Sequence, residues 1–526
     1  GFETHLVERE PELGGTLRLL DRLWPSGLPA REVLDRARQD LEAAGVRVHL
    51  GTEVESIGGY VGNFFARLTN GEELRVGAVV LATGAEPYSP REFGYGQDPR
   101  VITNLELEQV LGHVNAQRIT FVSCVGSRQG PMGCSRYCCT SMIGQALQLR
   151  RQGKSVRVIS KDIRTYSRQA EELYEQAMRE GVVFFRYSSD LPPQEAVQYR
   201  DGVVTVRDEL SGAIVHLPTD LLVLVVGLRP RPENLTDQLK LAHSEDGFFL
   251  ELHPKLGPAE TAVQGVYLAG AAQAPKDTRE SVSQALAAAS KAAGLLSRGS
   301  IGKEPLTAVV DPDKCIGCML CVPACPFGAI EMLGKVKEGK VRIIEAACQG
   351  CGNCAATCNY DAITMPYFTK EQILAQIDAA LAERPQEKVL VFACNWCSYA
   401  GADQAGIEKL QYPPSARIIR TMCSARVELD FVLRAFEKGA GAVLLTGCRL
   451  TEQGSDCHYN YANRHTAKRF ELWKKRLVRQ GIAPERFQLQ WVSASEGKLF
   501  ASKMQEMHRV VQEHCRNLAT VGEGRP

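Results

Sequence analysis

Two runs of this chain, CIGCMLCVPACP at 315–326 and CQGCGNCAATC at 348–358, repeat one spacing, C-x2-C-x2-C-x3-C. No other stretch restricts the fold so tightly. The spacing is that of a segment holding two cubane iron–sulfur clusters, in which the fourth cysteine of each run ligates the cluster of the other run. One [4Fe–4S] cluster is therefore expected on Cys315, Cys318, Cys321 and Cys358, and a second on Cys348, Cys351, Cys354 and Cys325. A proline, Pro326, trails the first run and Asn359 the second, a difference without bearing on ligation.

The other cysteines extend that chemistry. The chain carries 18 over 526 residues, most of them in short-spaced clusters. Without a secretory signal pattern, such clusters point to metal in a reducing compartment, and so to a cytoplasmic protein, rather than to disulfides. A net charge of +1 gives no ground for a nucleic-acid partner. The longest apolar run, LLVLVVGL at 221–228, is too short for a transmembrane segment, which needs about 20 residues. The length suits about three or four domains.

Toward the C-terminus, VLVFACNWC places Cys394 and Cys397 at the end of a strand-like run. RIIRTMC and AVLLTGC do the same for Cys423 and Cys448, and Cys457 follows beside His458 in SDCHY. In an open parallel sheet the strand ends share one edge, where ligands bind. These thiols should converge there on one small cluster such as [2Fe–2S]; five candidates exceed the four needed. Cys515, in the terminal helix, is read as a bystander.

The first 300 residues alternate strand-like and helix-like runs. THLVE at 4–8 reads as a buried strand ending in an acid, the place from which Glu8 would bond an adenosine ribose, with Gly14 and Gly15 in the turn after it. The strand and G-x-G-x-x-G turn expected ahead of it are missing, so the reading is of an N-terminally truncated site. AVVLATGAEPYSP at 78–90 adds Thr83 and Gly84 at a strand end, and GVYLAGAAQAPKDTRESVSQALAAASKAAG at 265–294 adds Gly270 before a long helix. The positive end of that helix suits the anionic edge of a reduced flavin. Lys276, between Gly270 and the helix, is the candidate for a catalytic cation beside the isoalloxazine. These motifs resemble, in order and separation, a thioredoxin-reductase-like fold in which a split FAD domain receives an inserted Rossmann-like domain.

In that inserted domain, RITFV (118–122), a helix at 140–152, SVRVIS (155–160), a helix at 167–180 and VVFFRY (182–187) form an alternating series. A nicotinamide-binding module would carry a glycine fingerprint after its first strand. Here stand Gly126 and Gly133, wrongly spaced, among Cys124, Cys134, Cys138 and Cys139. Thiolates suit iron–sulfur or zinc, so a soft-metal site has taken the place of a phosphate cradle.

SCVGSRQG…CSRYCC, GVYLAGAAQAPKD and the tandem cysteine runs resemble the heterodisulfide reductase A-type polypeptide. ACNWCSYAGAD, IIRTMCSARV and CHYNYANRH are similar to the delta subunit of methyl-viologen-reducing hydrogenase, although the stretch GCRLTEQGSDCHY is longer between its cysteines than the compact form. The resemblance implies FAD, three [4Fe–4S] clusters, one of them on Cys124, Cys134, Cys138 and Cys139, and one [2Fe–2S] cluster in the delta-like part. It further implies electrons arriving from a hydrogenase or formate dehydrogenase, and a flavin that serves in bifurcation. The implied partners are ferredoxin and proteins like the B- and C-type polypeptides of heterodisulfide reductase. The B-type polypeptide of the quinone-interacting membrane-bound oxidoreductase complex has the same domain order. A non-catalytic iron–sulfur scaffold is the third alternative.

The expected architecture is α/β. The FAD domain occupies 1–115 and 239–300, interrupted by the Rossmann-like domain at 116–238. A two-cluster ferredoxin domain of α+β type follows at 305–368, then a helical linker at 369–387 and a delta-like α/β iron–sulfur domain at 388–526.

Overall fold

The computed structural model describes residues 1–522 apart from 233, 304 and 452–454. The stretch GCRLTEQGSDCHY, 447–459, thus lies partly outside the described residues.

In the first part, strand His5–Val7 pairs in parallel with Arg47–His49, and helix Ala30–Ala43 makes the crossover between them. An antiparallel meander follows, Val54–Tyr60, Asn63–Leu68 and Glu73–Val76. Its middle strand alternates as a half-buried strand must: Phe64, Ala66 and Leu68 face the core while Phe65 faces out. Val79–Leu81 pairs in parallel with Val266–Leu268, nearly two hundred positions on, and helix Thr278–Leu296 leaves from there. The chain passes into and out of the insertion through one antiparallel pair, Ala85–Pro87 with Leu228–Pro230.

The insertion is a parallel five-stranded sheet in the order Val101–Thr103, Leu221–Val226, Arg118–Val125, Ser155–Ser160, Val183–Arg186. Leu222 to Val226 are fully buried, because a parallel strand covered on both faces reads as a continuous apolar run and not as an alternation. Helices Cys138–Arg151 and Ala170–Arg179 cover the sheet. The edge meander Val197–Arg200, Val203–Arg207, Ile214–Pro218 lies outside the alternating series expected from sequence.

The cysteine-rich segment folds as two short hairpin-like pairs, Val309–Val310 with Ile363–Thr364 and Ile330–Leu333 with Lys340–Ile343. Each half adds a one-turn helix, Cys321–Ala324 and Asn353–Thr357. Its core holds cysteines and small apolar residues, together with Tyr60 from the first domain. The last domain is a parallel sheet ordered Ala416–Thr421, Val389–Cys394, Ala442–Gly447, Phe487–Trp491. Of the helical linker expected at 369–387, the helix runs Lys370–Ala380, begun by a Thr369–Gln372 capping box. It buries Ile373 and Ile377 in the core of this sheet, so it is built into the last domain and does not span free. Among the described residues no helix is long and apolar enough to cross a membrane.

Candidate functional site

The loop after strand Arg118–Val125 gathers the first thiol set. Cys124 ends the strand in a left-handed conformation, φ +63, and Arg128 and Arg136 take φ +55 and +60 in the same loop. Such backbone is uncommon for non-glycine residues and costs about 1–3 kcal/mol each, so the surrounding contacts must hold it. Tyr187 does part of this, donating its hydroxyl to Ser123 O at 3.0 Å, and Arg128 pairs with Asp162. Cys138 and Cys139 open the helix, both buried, and Cys124 is buried opposite them. Cys134 is half-buried and its sulfur accepts the Arg136 N–H at 3.4 Å. Burial and the neighbouring sulfurs raise the Cys124 pKa, whereas a hydrogen bond from Cys138 lowers that of Cys139 to about 7. Gly126 is steric: at φ +73, a Cβ there would stand 2.2 Å from the Tyr88 ring. It therefore admits Tyr88 rather than a phosphate.

This loop is tied to the candidate flavin cleft. Arg136 pairs with Glu280 and Ser167 donates to Asp277, the two capping-box residues of helix Thr278–Leu296. That box, D-x-x-E, is readable in sequence; its long-range partners are not. Lys276 folds back on its own loop, with Nζ 2.8 Å from Gly270 O, 2.9 Å from Gln273 Oε1 and 3.0 Å from Ala274 O. Burial lowers its pKa to about 8, opposed by Glu280 and assisted by Arg136. Thr83 Oγ1 is buried with no hydrogen-bond partner among the described residues. Beside it Gly84, φ +77, has open space where a Cβ would stand. An orphaned hydroxyl next to open space fits a bound polar group, and FAD suits it. Glu8 follows its strand directly and accepts the Glu10 N–H at 3.0 Å. Gly14 and Gly15 start the 3-10 turn that follows, and Gly270 begins another after its strand.

In the cysteine-rich domain the two runs cross. Cys321 has Cys358, Cys318 and Cys315 as its charged neighbours, and Cys351 has Cys354, Cys325 and Cys348. Burial raises the Cys321 thiol to about 11 and Cys351 well above its ordinary value. Buried thiols in such a set release their protons when a metal binds them as thiolates, so the set fits metal. Backbone N–H groups of Ala329 and Ala362 donate to Cys325 and Cys358 sulfur at 3.3 Å, and that of Ala308 to Cys348 at 3.5 Å.

The sheet of the last domain brings Cys394, Cys423 and Cys448 to one edge. Cys457 joins them from the following loop and Cys397 from the start of helix Ser398–Ile407. Cys394 and Cys448 sulfurs lie 3.7 Å apart. Two thiolates on one tetrahedral metal, with bonds of about 2.3 Å, stand about 3.8 Å apart, so this pair has the spacing of ligands to a shared metal. His458 stacks on Trp396 with ring centroids 3.7 Å apart, and burial lowers its pKa to about 4. Cys515 lies away from the set, its thiol donating to Gln386 O at 3.3 Å.

No pattern in the sequence marks the junction between these last two sets. Cys351 packs in one buried cluster with Cys394, Cys423, Cys448, Cys457 and Tyr459. Phe327 meets the Tyr459 ring edge-on, and Asn460 Nδ2 donates to Pro326 O at 3.1 Å. Arg469 clamps the two sides: Nη1 donates to Ala425 O at 2.8 Å, and Nη2 to Asn353 Oδ1 at 2.8 Å and Thr357 Oγ1 at 2.5 Å. Arg426, 2% exposed, pairs with Glu428 and donates to Phe368 O at 3.1 Å.

Residues 389–514 match the family described as methyl-viologen-reducing hydrogenase, delta subunit, while 314–380 match the 4Fe-4S dicluster domain. The chain is 38% identical over 468 residues to the A-type polypeptide of ferredoxin:CoB-CoM heterodisulfide reductase from Methanosarcina mazei, covering 84% of this chain and 58% of that protein. It is 41% identical over 338 residues to the A-type polypeptide of H(2):CoB-CoM heterodisulfide,ferredoxin reductase from Methanothermobacter marburgensis, covering 59% and 50%. The chain thus spans little more than half the length of these relatives. Among solved structures, thioredoxin reductase of T. acidophilum is similar at 17% identity and a TM-score of 0.41, over 57% of this chain and 92% of that one. The chain is therefore similar, over most of its own length, to the A-type polypeptides of heterodisulfide reductase, and its residues 389–514 match the methyl-viologen-reducing hydrogenase delta-subunit family.

Proposed function

We propose that this chain is the FAD and iron–sulfur electron-transfer subunit of a heterodisulfide-reductase-like complex. In this reading electrons come from a hydrogenase or formate dehydrogenase type donor and leave for ferredoxin and a disulfide-reducing partner, with the flavin serving in bifurcation. The bound clusters supply one-electron transfer and the flavin converts between one- and two-electron chemistry. The observation that carries the reading is the buried junction of Cys351 with the C-terminal thiols, where two metal-ligand sets from different domains share one apolar cluster. Arg469 bonds both sides of that junction and Arg426 lies buried beside it. In the insertion, the Arg136–Glu280 pair fixes the thiol loop of 124–139 to the helix that opens beside Lys276. On this reading the assignment is three [4Fe–4S] clusters and one [2Fe–2S] cluster, together about 14 iron atoms.

Cys351→Ser tests the reading on reconstituted full-length chain. Iron should fall by about four atoms, and flavin reduction by an electron donor that docks at the C-terminal domain should be abolished. Flavin reduced at the wild-type rate in a variant that has lost that iron would refute it.

A further inference from the structure

Two imidazoles meet on the first domain. His5 Nδ1 lies 3.0 Å from His49 Nε2 and the rings stack with centroids 5.3 Å apart. Each ring's outer nitrogen faces a carboxylate: His5 Nε2 is 3.5 Å from Glu3 Oε1, and His49 Nδ1 is 3.2 Å from Glu72 Oε2. The imidazoles are 12% and 11% exposed, the Glu72 carboxylate 42%. A carboxylate that holds the N–H of one ring nitrogen leaves the other as a lone pair. Where both outer nitrogens carry the proton, the two inner nitrogens face each other as lone pairs, an arrangement that a cation relieves.

We propose that His5, His49 and Glu72 bind a divalent transition cation of the zinc type. One ligand atom from each lies within 4.8 Å of the other two. Zinc–nitrogen bonds of about 2.0–2.1 Å place tetrahedral ligands about 3.3 Å apart, so the rings need part by only about 0.3 Å. His5 Nδ1 and His49 Nε2 are the nitrogen ligands. Glu72 turns its exposed carboxylate from the outer nitrogen onto the metal, and water takes the fourth position. Glu3 stays behind His5 and orients it.

Three separate segments converge on the site. The histidines come from the parallel pair His5–Val7 and Arg47–His49, two residues out of register and so on one face. Glu72 stands in the turn before Glu73–Val76, where its N–H bonds Asn70 Oδ1 at 3.0 Å and its carbonyl accepts the Leu68 N–H at 2.8 Å. Glu53 and Thr69 tie that turn to the segment leaving His49 through bonds of 2.9 and 3.0 Å. The cation would staple meander to strand pair just ahead of Glu8, whose N–H bonds His49 O at 2.9 Å.

The test uses the full chain with its clusters loaded, incubated anaerobically with zinc chloride and desalted. Zinc and iron are counted per chain, and zinc-edge X-ray absorption identifies the zinc neighbours. One zinc is expected, with nitrogen and oxygen neighbours at about 2.0–2.1 Å; zinc lodged in cysteine sites shows sulfur at about 2.3 Å. His49→Gln should remove this zinc and leave the iron count intact. Should His49→Gln lose iron as well, the exposed Glu72→Gln and Glu3→Gln variants decide: each should weaken zinc binding about 10–100-fold at unchanged iron. Zinc with sulfur neighbours only, no retained zinc, or zinc binding indifferent to these substitutions would each overturn the proposal, leaving a hydrogen-bonded histidine pair.

Discussion

Arg469→Met removes the guanidinium fork while keeping the aliphatic bulk of the side chain. In the wild type the fork holds Ala425 O, in the loop after Cys423, and Asn353 Oδ1, beside Cys354. Asn353 is fully buried and itself donates to Ala324 O at 2.6 Å, so a lost partner there is not replaced by water unless the junction opens. Charged hydrogen bonds contribute about 1.5 kcal/mol each at the low end of their range, so these two alone, without the third to Thr357 Oγ1, give about 3 kcal/mol. Every 1.4 kcal/mol is tenfold, and the open population of the junction should therefore rise about 100-fold. Hydrogen exchange followed by mass spectrometry on the cluster-loaded chain reads that population directly. Amides in 351–358 and 421–428 should exchange about 100-fold faster, and those of strand Arg118–Val125 should not change. A change below about threefold at the junction, or an equal change in the remote strand, would refute the clamp.

The thiol loop and the lysine give two further expectations. Cys138→Ser should lower iron by about four atoms and spare the ferredoxin-type signals, and anaerobic NADH or NADPH should leave the flavin oxidised in wild type; rapid bleaching by either nucleotide would mean that a nicotinamide site persists. Burial lowers the Lys276 pKa from 10.5 to about 8, so between those values the unfolded chain binds a proton that the folded chain does not. Flavin-free protein should thus gain stability as pH rises from about 8 toward 10.5 and be insensitive to this group below about 8. Lys276→Met should flatten that rise in denaturant midpoints, and a rise that persists in the variant counts against the assignment.

The local elements were legible because their signals are local. The apolar runs at 118–122 and 389–394 became strands, and the Ala-rich run after Gly270 became a helix with a readable cap. Strand ends that carry thiols predicted the gathering of Cys394, Cys423 and Cys448, since one sheet edge collects them. What was not legible acts across domains. Arg426 and Arg469 carry no signal in the sequence, since their targets, Phe368 O and Asn353 Oδ1, lie about 60 and 120 positions away. No periodicity encodes such pairs. His5 and His49 failed to stand out for the same reason: only the parallel pairing of their strands puts them on one face.

The buried meeting of Cys351 with the C-terminal cysteines bears on how charge can accumulate. With clusters in both sets, an electron resting on one lies in a dry, weakly screening surround, where repulsion between like charges is strong. Filling the second then costs more than filling the first. Such a pair, if both sets carry clusters as proposed, passes single electrons along and resists storing two.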